Sequence, residues 1–195
     1  QLVVALGPER AGLDPRSGEF LWRHQADTQS AGIMATPLFL PPDRVYFTSA
    51  YGGGSLVLKI VRTDDGLATE EVCGNRAMKV QHGNVVQFAE DLVISSSGDF
   101  GPAFMMGVRP SDGSVAWRQR GFAKSTLLRV GERLIVLDEE GNLALARCTA
   151  DGLEVIARGK VLDEKAWTVP ALVGTTLYLR DHKHIMALDL GRRAG

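Results

Sequence analysis

The sequence predicts an all-β chain made of repeated four-stranded antiparallel units. Three observations carry this. Short runs rich in Val, Leu, Ile, Phe and Tyr recur along the 195 residues, most of them bounded by Gly, Pro, Asp or Asn. Few stretches keep an i, i+3, i+4, i+7 apolar stripe for ten residues, and none reads as a convincing amphipathic helix. Turn glycines fall at positions 18, 66, 113, 152 and 191, at intervals of 48, 47, 39 and 39 residues. A period near forty residues suits four short strands, the size of a propeller blade. The expected fold is therefore a β-propeller of about four to five blades, a sector of a larger ring.

The apolar runs give the strands in order: Leu2–Leu6, Arg44–Thr48, Leu56–Val61, Leu92–Ser95, Phe104–Arg109, Leu134–Leu137, Leu143–Arg147, Thr176–Leu179 and Ile185–Leu188. One unit reads as inner strand Asn84–Ala89, turn Glu90-Asp91, strand Leu92–Ser96, loop Ser97–Pro102, strand Ala103–Arg109, turn Pro110–Gly113 and outer strand Ser114–Arg118. Gly in the turns supplies positive φ at no steric cost. The expected blades are 1–25 (partial), 37–74, 83–121, 125–160 and 169–195 (partial), forming one propeller region over 1–195. Leu13–Trp22 is echoed by Val108–Trp117: each has a polar turn ending in Gly, then Trp four residues later. Both tryptophans are expected to pack between blades.

Composition excludes several classes. Lys plus Arg is 22 and Asp plus Glu 23, a net charge of -1 that offers no footprint for nucleic acid. No apolar run approaches the roughly 20 residues of a helical membrane span. Residue 1 is Gln, so the chain reads as processed or cut from something longer. Cys73 and Cys148 lack zinc spacing and read as buried free thiols, with one long-range disulfide as the alternative.

A strand ending in Asp or Arg, then x-x-Gly-x-x-x-Trp, resembles the repeat of the quinoprotein-like (PQQ-like) β-propeller superfamily. Ser96–Ala103, the turn leading to Trp117, Ala166–Pro170 and Leu179–Leu188 carry the same likeness. The group is similar to the propeller of an outer-membrane assembly lipoprotein. The resemblance implies a repeat scaffold of the periplasm or cell envelope. A WD40 reading lacks the Gly-His start and Trp-Asp end, and Gly52-Gly53-Gly54 is the only kelch-like feature.

Fold likeness does not settle function. Quinoprotein dehydrogenases of this superfamily need a quinone pocket, a calcium ion, an Asp base and often adjacent cysteines. This sequence has no adjacent cysteines and no carboxylate pair beside an Asn to hold a hard cation. Asp138-Glu139-Glu140 reads as a solvated turn, and His182 with His184 as a surface turn. There is no nucleophile elbow, P-loop or dinucleotide fingerprint. The function expected is a noncatalytic scaffold binding a protein or small ligand, with no cofactor, no metal and no catalytic residue. The alternative is a fragment of a PQQ-dependent oxidoreductase whose quinone, calcium and catalytic residues involve missing blades.

A four-stranded meander reverses direction at every turn. The first-to-second and third-to-fourth strand turns share one face, and these are short: Pro41–Asp43, Glu90-Asp91, Gly131-Glu132 and Gly174-Thr175. The other face carries the longer segments Tyr51–Ser55, Gly74–Gly83, Ser97–Pro102, Arg120–Lys124 and Asp163–Trp167. Its aromatics and charges suit recognition. The candidate binding residues are Tyr51, His82, Asn84, Asp99, Phe100, Arg120, Lys124 and Trp167, with His82, Asp99 and Lys124 expected nearest the axis. Trp167 is expected to plug the entry to the last blade. Exposed blade edges offer self-association.

Overall fold

A computed structural model describes residues 1–26, 35–149 and 151–191. The described residues contain eighteen strands and no helix. Five antiparallel meanders follow one another along the chain. The first is β1 (Leu2–Leu6), β2 (Glu9–Leu13) and β3 (Phe20–Gln25). The second is β4 (Leu38–Leu40), β5 (Arg44–Ser49), β6 (Gly54–Thr63) and β7 (Gly66–Asn75). The third is β8 (Val86–Ala89), β9 (Leu92–Ser97), β10 (Phe104–Val108) and β11 (Val115–Gln119). The fourth is β12 (Ser125–Val130), β13 (Arg133–Asp138), β14 (Asn142–Thr149) and β15 (Gly152–Lys160). The fifth is β16 (Ala171–Val173), β17 (Thr176–Arg180) and β18 (Ile185–Asp189). This is the blade arrangement of a β-propeller.

Strand side chains alternate between faces, and here both faces are apolar. Val45 and Phe47 of β5 join Trp22 and Leu58 in a core between the first two sheets. Tyr46, between them, faces Met78, Val93 and Met106 toward the third sheet. Met105 and Ile94 turn the other way, toward Trp117, Leu127 and Leu134. Ile135 and Leu137 continue the series toward Leu177 and Leu179 of the fifth sheet. Four cores thus lie between five sheets. Two-sided burial explains why the strands read as continuous apolar runs rather than as alternation.

The echoed segments share their register and their turn hydrogen bonds. Gly12 of β2 pairs with Trp22 of β3, and Gly107 of β10 with Trp117 of β11, with a register shift immediately after each glycine. The turns repeat bond for bond. Asp14 N donates to Glu19 O and Gly18 N to Asp14 O; Arg109 N donates to Ser114 O and Gly113 N to Arg109 O. Gly18 and Gly113 share φ +77°, a conformation that a Cβ disfavours. Sheets two and four instead close β6–β7 and β14–β15 with two-residue hairpins, Thr63 opposite Gly66 and Thr149 opposite Gly152.

Side-chain amides sew neighbouring sheets together. Asn84 Nδ2 donates to Leu127 O and Asn84 Oδ1 accepts from Leu127 N, both at 2.8 Å. On the outer strands Gln119 does the same with Leu153, at 2.9 and 2.7 Å. Both cysteines are free thiols, Cys148 buried and Cys73 half-buried. Burial pushes the Cys148 thiol up to about 11.

The indole of Trp117 lies over Gly107, where an added Cβ would meet it at 2.6 Å and Leu92 Cδ1 at 3.0 Å. Gly107→Ala is expected to destabilise the fold by about 1–3 kcal/mol, the usual cost of overpacking. Urea denaturation checks this. Adding Trp117→Leu should make the double variant lose less than the two single losses combined.

Candidate functional site

The connections between second and third strands of the later sheets, the β1–β2 turn of the first, and the connections from one sheet to the next emerge at one end of the molecule. Buried backbone groups need partners, and these loops supply them to one another. The segment between β7 and β8 is tied to the β9–β10 loop: Gly98 N donates to Lys79 O at 2.8 Å, and Lys79 N to Ser97 Oγ at 2.9 Å. Glu139 N donates to Lys124 O, and Ala166 N to Glu139 O, which joins three further connections. Asp181 accepts from Glu164 N, Lys183 N and His184 N. Burial would raise its carboxyl, but these N–H groups outweigh that and hold it far below the usual carboxylate range.

Two trios of side chains, joined through the Gln81–His82 peptide, make a ribbon across this face. The Phe100 ring lies 5.0 Å from that of Tyr51. The Tyr51 hydroxyl accepts from Gln81 Nε2. His82, next in sequence, stacks at 5.2 Å on Trp167, which meets His182 edge-on at 5.0 Å. Trp167 Nε1 donates to Glu139 Oε2 at 3.1 Å, and Lys165 pairs with the same oxygen at 3.6 Å. Phe100 is 87% exposed and Trp167 46% exposed. His82 Nε2 and Gln81 Oε1 are buried without a hydrogen-bond partner among the described residues.

The candidate residues divide by environment. Tyr51 meets Phe100 in one trio of the ribbon, and His82 meets Trp167 in the other. Trp167, expected to plug the entry to the last sheet, is half-exposed, with its indole N–H bonded to Glu139. Arg120 and Lys124 line a cavity of about 480 Å³ with Glu139 and Arg158. The Arg120 guanidinium sits 4.9 Å from the Phe104 ring centre. Asp99 is held by its own loop: Phe100 N donates to it at 2.9 Å and Lys79 Nζ at 3.3 Å. Burial raises its carboxyl, and these two partners more than offset it, leaving a net lowering. Asn84 is spent on Leu127, so it acts as a strut.

One turn departs from its expected character. Asp138 of the acidic run is buried, not solvated. It closes the β13–β14 turn by accepting from Glu140 N and Asn142 N, and it pairs with Arg158 Nη2 at 3.0 Å. The 182–184 segment is a surface turn, as expected, but His182 was not singled out for the site. Neither were Gln81 and Glu139. Gln81 was reachable as the neighbour of His82; nothing local links His182 or Glu139 to Trp167. Among the described residues, no three His, Cys, Asp or Glu side chains gather closely enough to hold a metal ion.

No family profile matches the chain, and no curated protein does. Solved structures do resemble it. BamB from Moraxella catarrhalis is 17% identical, over 93% of this chain and 66% of that one, with a TM-score of 0.50. The computationally designed protein Ika8 is 15% identical over 94% and 53%, with a TM-score of 0.69. Sqt1 of Saccharomyces cerevisiae is 11% identical over 96% and 56%, with a TM-score of 0.69. The chain spans about half to two thirds of these structures' lengths. At such identities the likeness shows the propeller fold alone.

His82 is held below its ordinary 6.5, chiefly by burial; Glu139 opposes this, while Lys124 and Lys165 reinforce it. The folded state thus prefers neutral His82. Its contribution to stability is complete above about pH 6.5 and is lost as pH falls through the lowered folded value. Thermal melts at about pH 7.5 and about pH 5.5 should show a smaller drop for His82→Gln than for the wild type.

Proposed function

We propose that the protein is a noncatalytic β-propeller scaffold that binds a protein partner through its longer-loop face. The observation that carries this is the Phe100–Tyr51–Gln81–His82–Trp167–His182 ribbon, which offers half-exposed aromatics beside unpartnered buried polar atoms. Aromatic anchors in a polar surround are the side chains that dominate protein interfaces. Tyr51, Phe100 and Trp167 are the anchors; His82, Asp99, Arg120 and Lys124 are the polar contacts; Asn84 holds the loops in place. Residues 1–195 act as one propeller region in this reading. By the resemblance to PQQ-like repeat proteins, it works in the periplasm or cell envelope. No helix among the described residues is long and apolar enough to cross a membrane.

The scaffold needs no redox quinone and no calcium in this reading. Of the carboxylates on this face, Asp99, Asp138 and Asp181 are engaged by loop N–H groups and basic side chains, Glu139 by Trp167 and Lys165, and Glu164 by Lys183. A hard cation requires several oxygen ligands free to turn toward it. That donor set does not fit the quinone–calcium pair.

Two measurements test the proposal. Proteins retained by the immobilised wild-type chain should be lost with Phe100→Ala plus Trp167→Ala and kept with Glu90→Ala plus Glu132→Ala. Loss with only the second pair places binding on the opposite face and overturns the assignment. Calorimetric titration with calcium plus PQQ should show no saturable binding in the micromolar range, near -8 kcal/mol. Stoichiometric binding there promotes the oxidoreductase reading instead.

A further inference from the structure

Arg10 of β2 is 3% exposed, which is unusual for a cation without a carboxylate. Its guanidinium lies between the first two sheets, 5.6 Å from the centre of the Phe47 ring. Nη1 donates to Gly7 O at 2.8 Å and to Glu9 O at 3.2 Å. Nε is buried with no partner among the described residues. The two nearby carboxylates are occupied elsewhere. Glu9 Oε1 pairs with Arg23 at 3.5 Å, and Glu71 Oε1 with His24 at 3.1 Å. Burial alone lowers the Arg10 pKa, and among the described residues no anion compensates.

Arg10 lines a cavity of about 340 Å³ at the longer-loop end, where the segments after β3, β5 and β7 leave their strands. Arg76 adds a second cation to its lining and Ser49 a hydroxyl, while the donors of Ser55 and Asn75 are spent on Asn75 O and Gly113 O. Glu71 is the one carboxylate in that lining among the described residues. The volume is that of a small-molecule site. A guanidinium with one nitrogen bound to carbonyls keeps its Nε–Nη2 edge for a planar, two-pronged acceptor, the geometry of a carboxylate.

We propose that this cavity is a carboxylate-binding site with Arg10 as its anchor. The carboxylate comes from a free small acid or from an acidic side chain of a bound peptide. The site lies apart from the aromatic ribbon and does not depend on the ribbon's role.

The test uses the whole chain and three probes: succinate, inorganic phosphate, and an end-blocked hexapeptide with one central Glu. Sodium chloride at matched ionic strength is the control. The melting temperature should rise saturably with succinate or the peptide and not with chloride, since only a ligand of the native state stabilises it by mass action. Whichever of the two binds more tightly identifies the source. Arg10→Met should fold, because a buried unpaired charge is replaced by an apolar chain, and its affinity should fall about tenfold or more. Glu71→Gln, at an exposed position, should tighten binding about threefold by removing a like charge. Equal effects of chloride, preference for phosphate over both carboxylates, unchanged affinity in Arg10→Met or unchanged affinity in Glu71→Gln each overturn the proposal. Should Arg10→Met fail to fold, the Glu71→Gln result decides.

Discussion

The indole ring laid flat over a glycine sets how closely neighbouring sheets approach. Trp22 over Gly12 and Trp117 over Gly107 occupy the same register position, beside the same bulge and the same six-residue turn. A Cβ at either glycine would enter the ring. Each Trp then presents its outer face to the next sheet, Trp22 to Val45, Phe47 and Leu58, Trp117 to Leu127 and Leu134. An interior packs at crystal-like density, so a shift in this spacing would propagate through every core further along. The devices also alternate: sheets one and three carry the Gly–Trp pair, while sheets two and four carry long hairpins with two-residue turns.

Stacking of this kind makes the two ends of the molecule unequal. Tight hairpin turns satisfy their own backbone groups, so the short-turn end has little room for other chemistry. The longer connections cannot do so alone. They exchange hydrogen bonds with one another, as Lys79 with Gly98, Lys124 with Glu139, and Glu164 with Asp181. Rigid loops then hold aromatic side chains partly in solvent without letting them collapse into a core. The same accounting engages two members of the acidic run, Asp138 with its own turn and Arg158, and Glu139 with Trp167 and Lys165.

Arg10 and His82 are the two basic groups this accounting leaves incomplete, each with a buried nitrogen lacking a partner among the described residues. Both sit at the longer-loop end. Polar groups buried without partners are uncommon because they carry the full cost of desolvation. Their shared placement ties an energetic irregularity to the end of the molecule best furnished for recognition.

Strands, turns and repeat spacing were legible in the sequence because their determinants are local. Short apolar runs, turn glycines with positive φ and the Gly-x-x-x-Trp echo are all written within a few residues of one another. The division into a short-turn face and a longer-loop face also followed, since a meander reverses at each turn whatever its packing. Which loop side chains meet did not follow. His82 reaches Trp167 only after two further sheets stack between their chain positions, and Asn84 became a strut because Leu127 of the next sheet arrived opposite its amide. Arg10 reads as an ordinary strand residue until the second sheet covers it while both neighbouring carboxylates turn elsewhere. These outcomes depend on the angle and spacing between sheets, and no short stretch of chain encodes either.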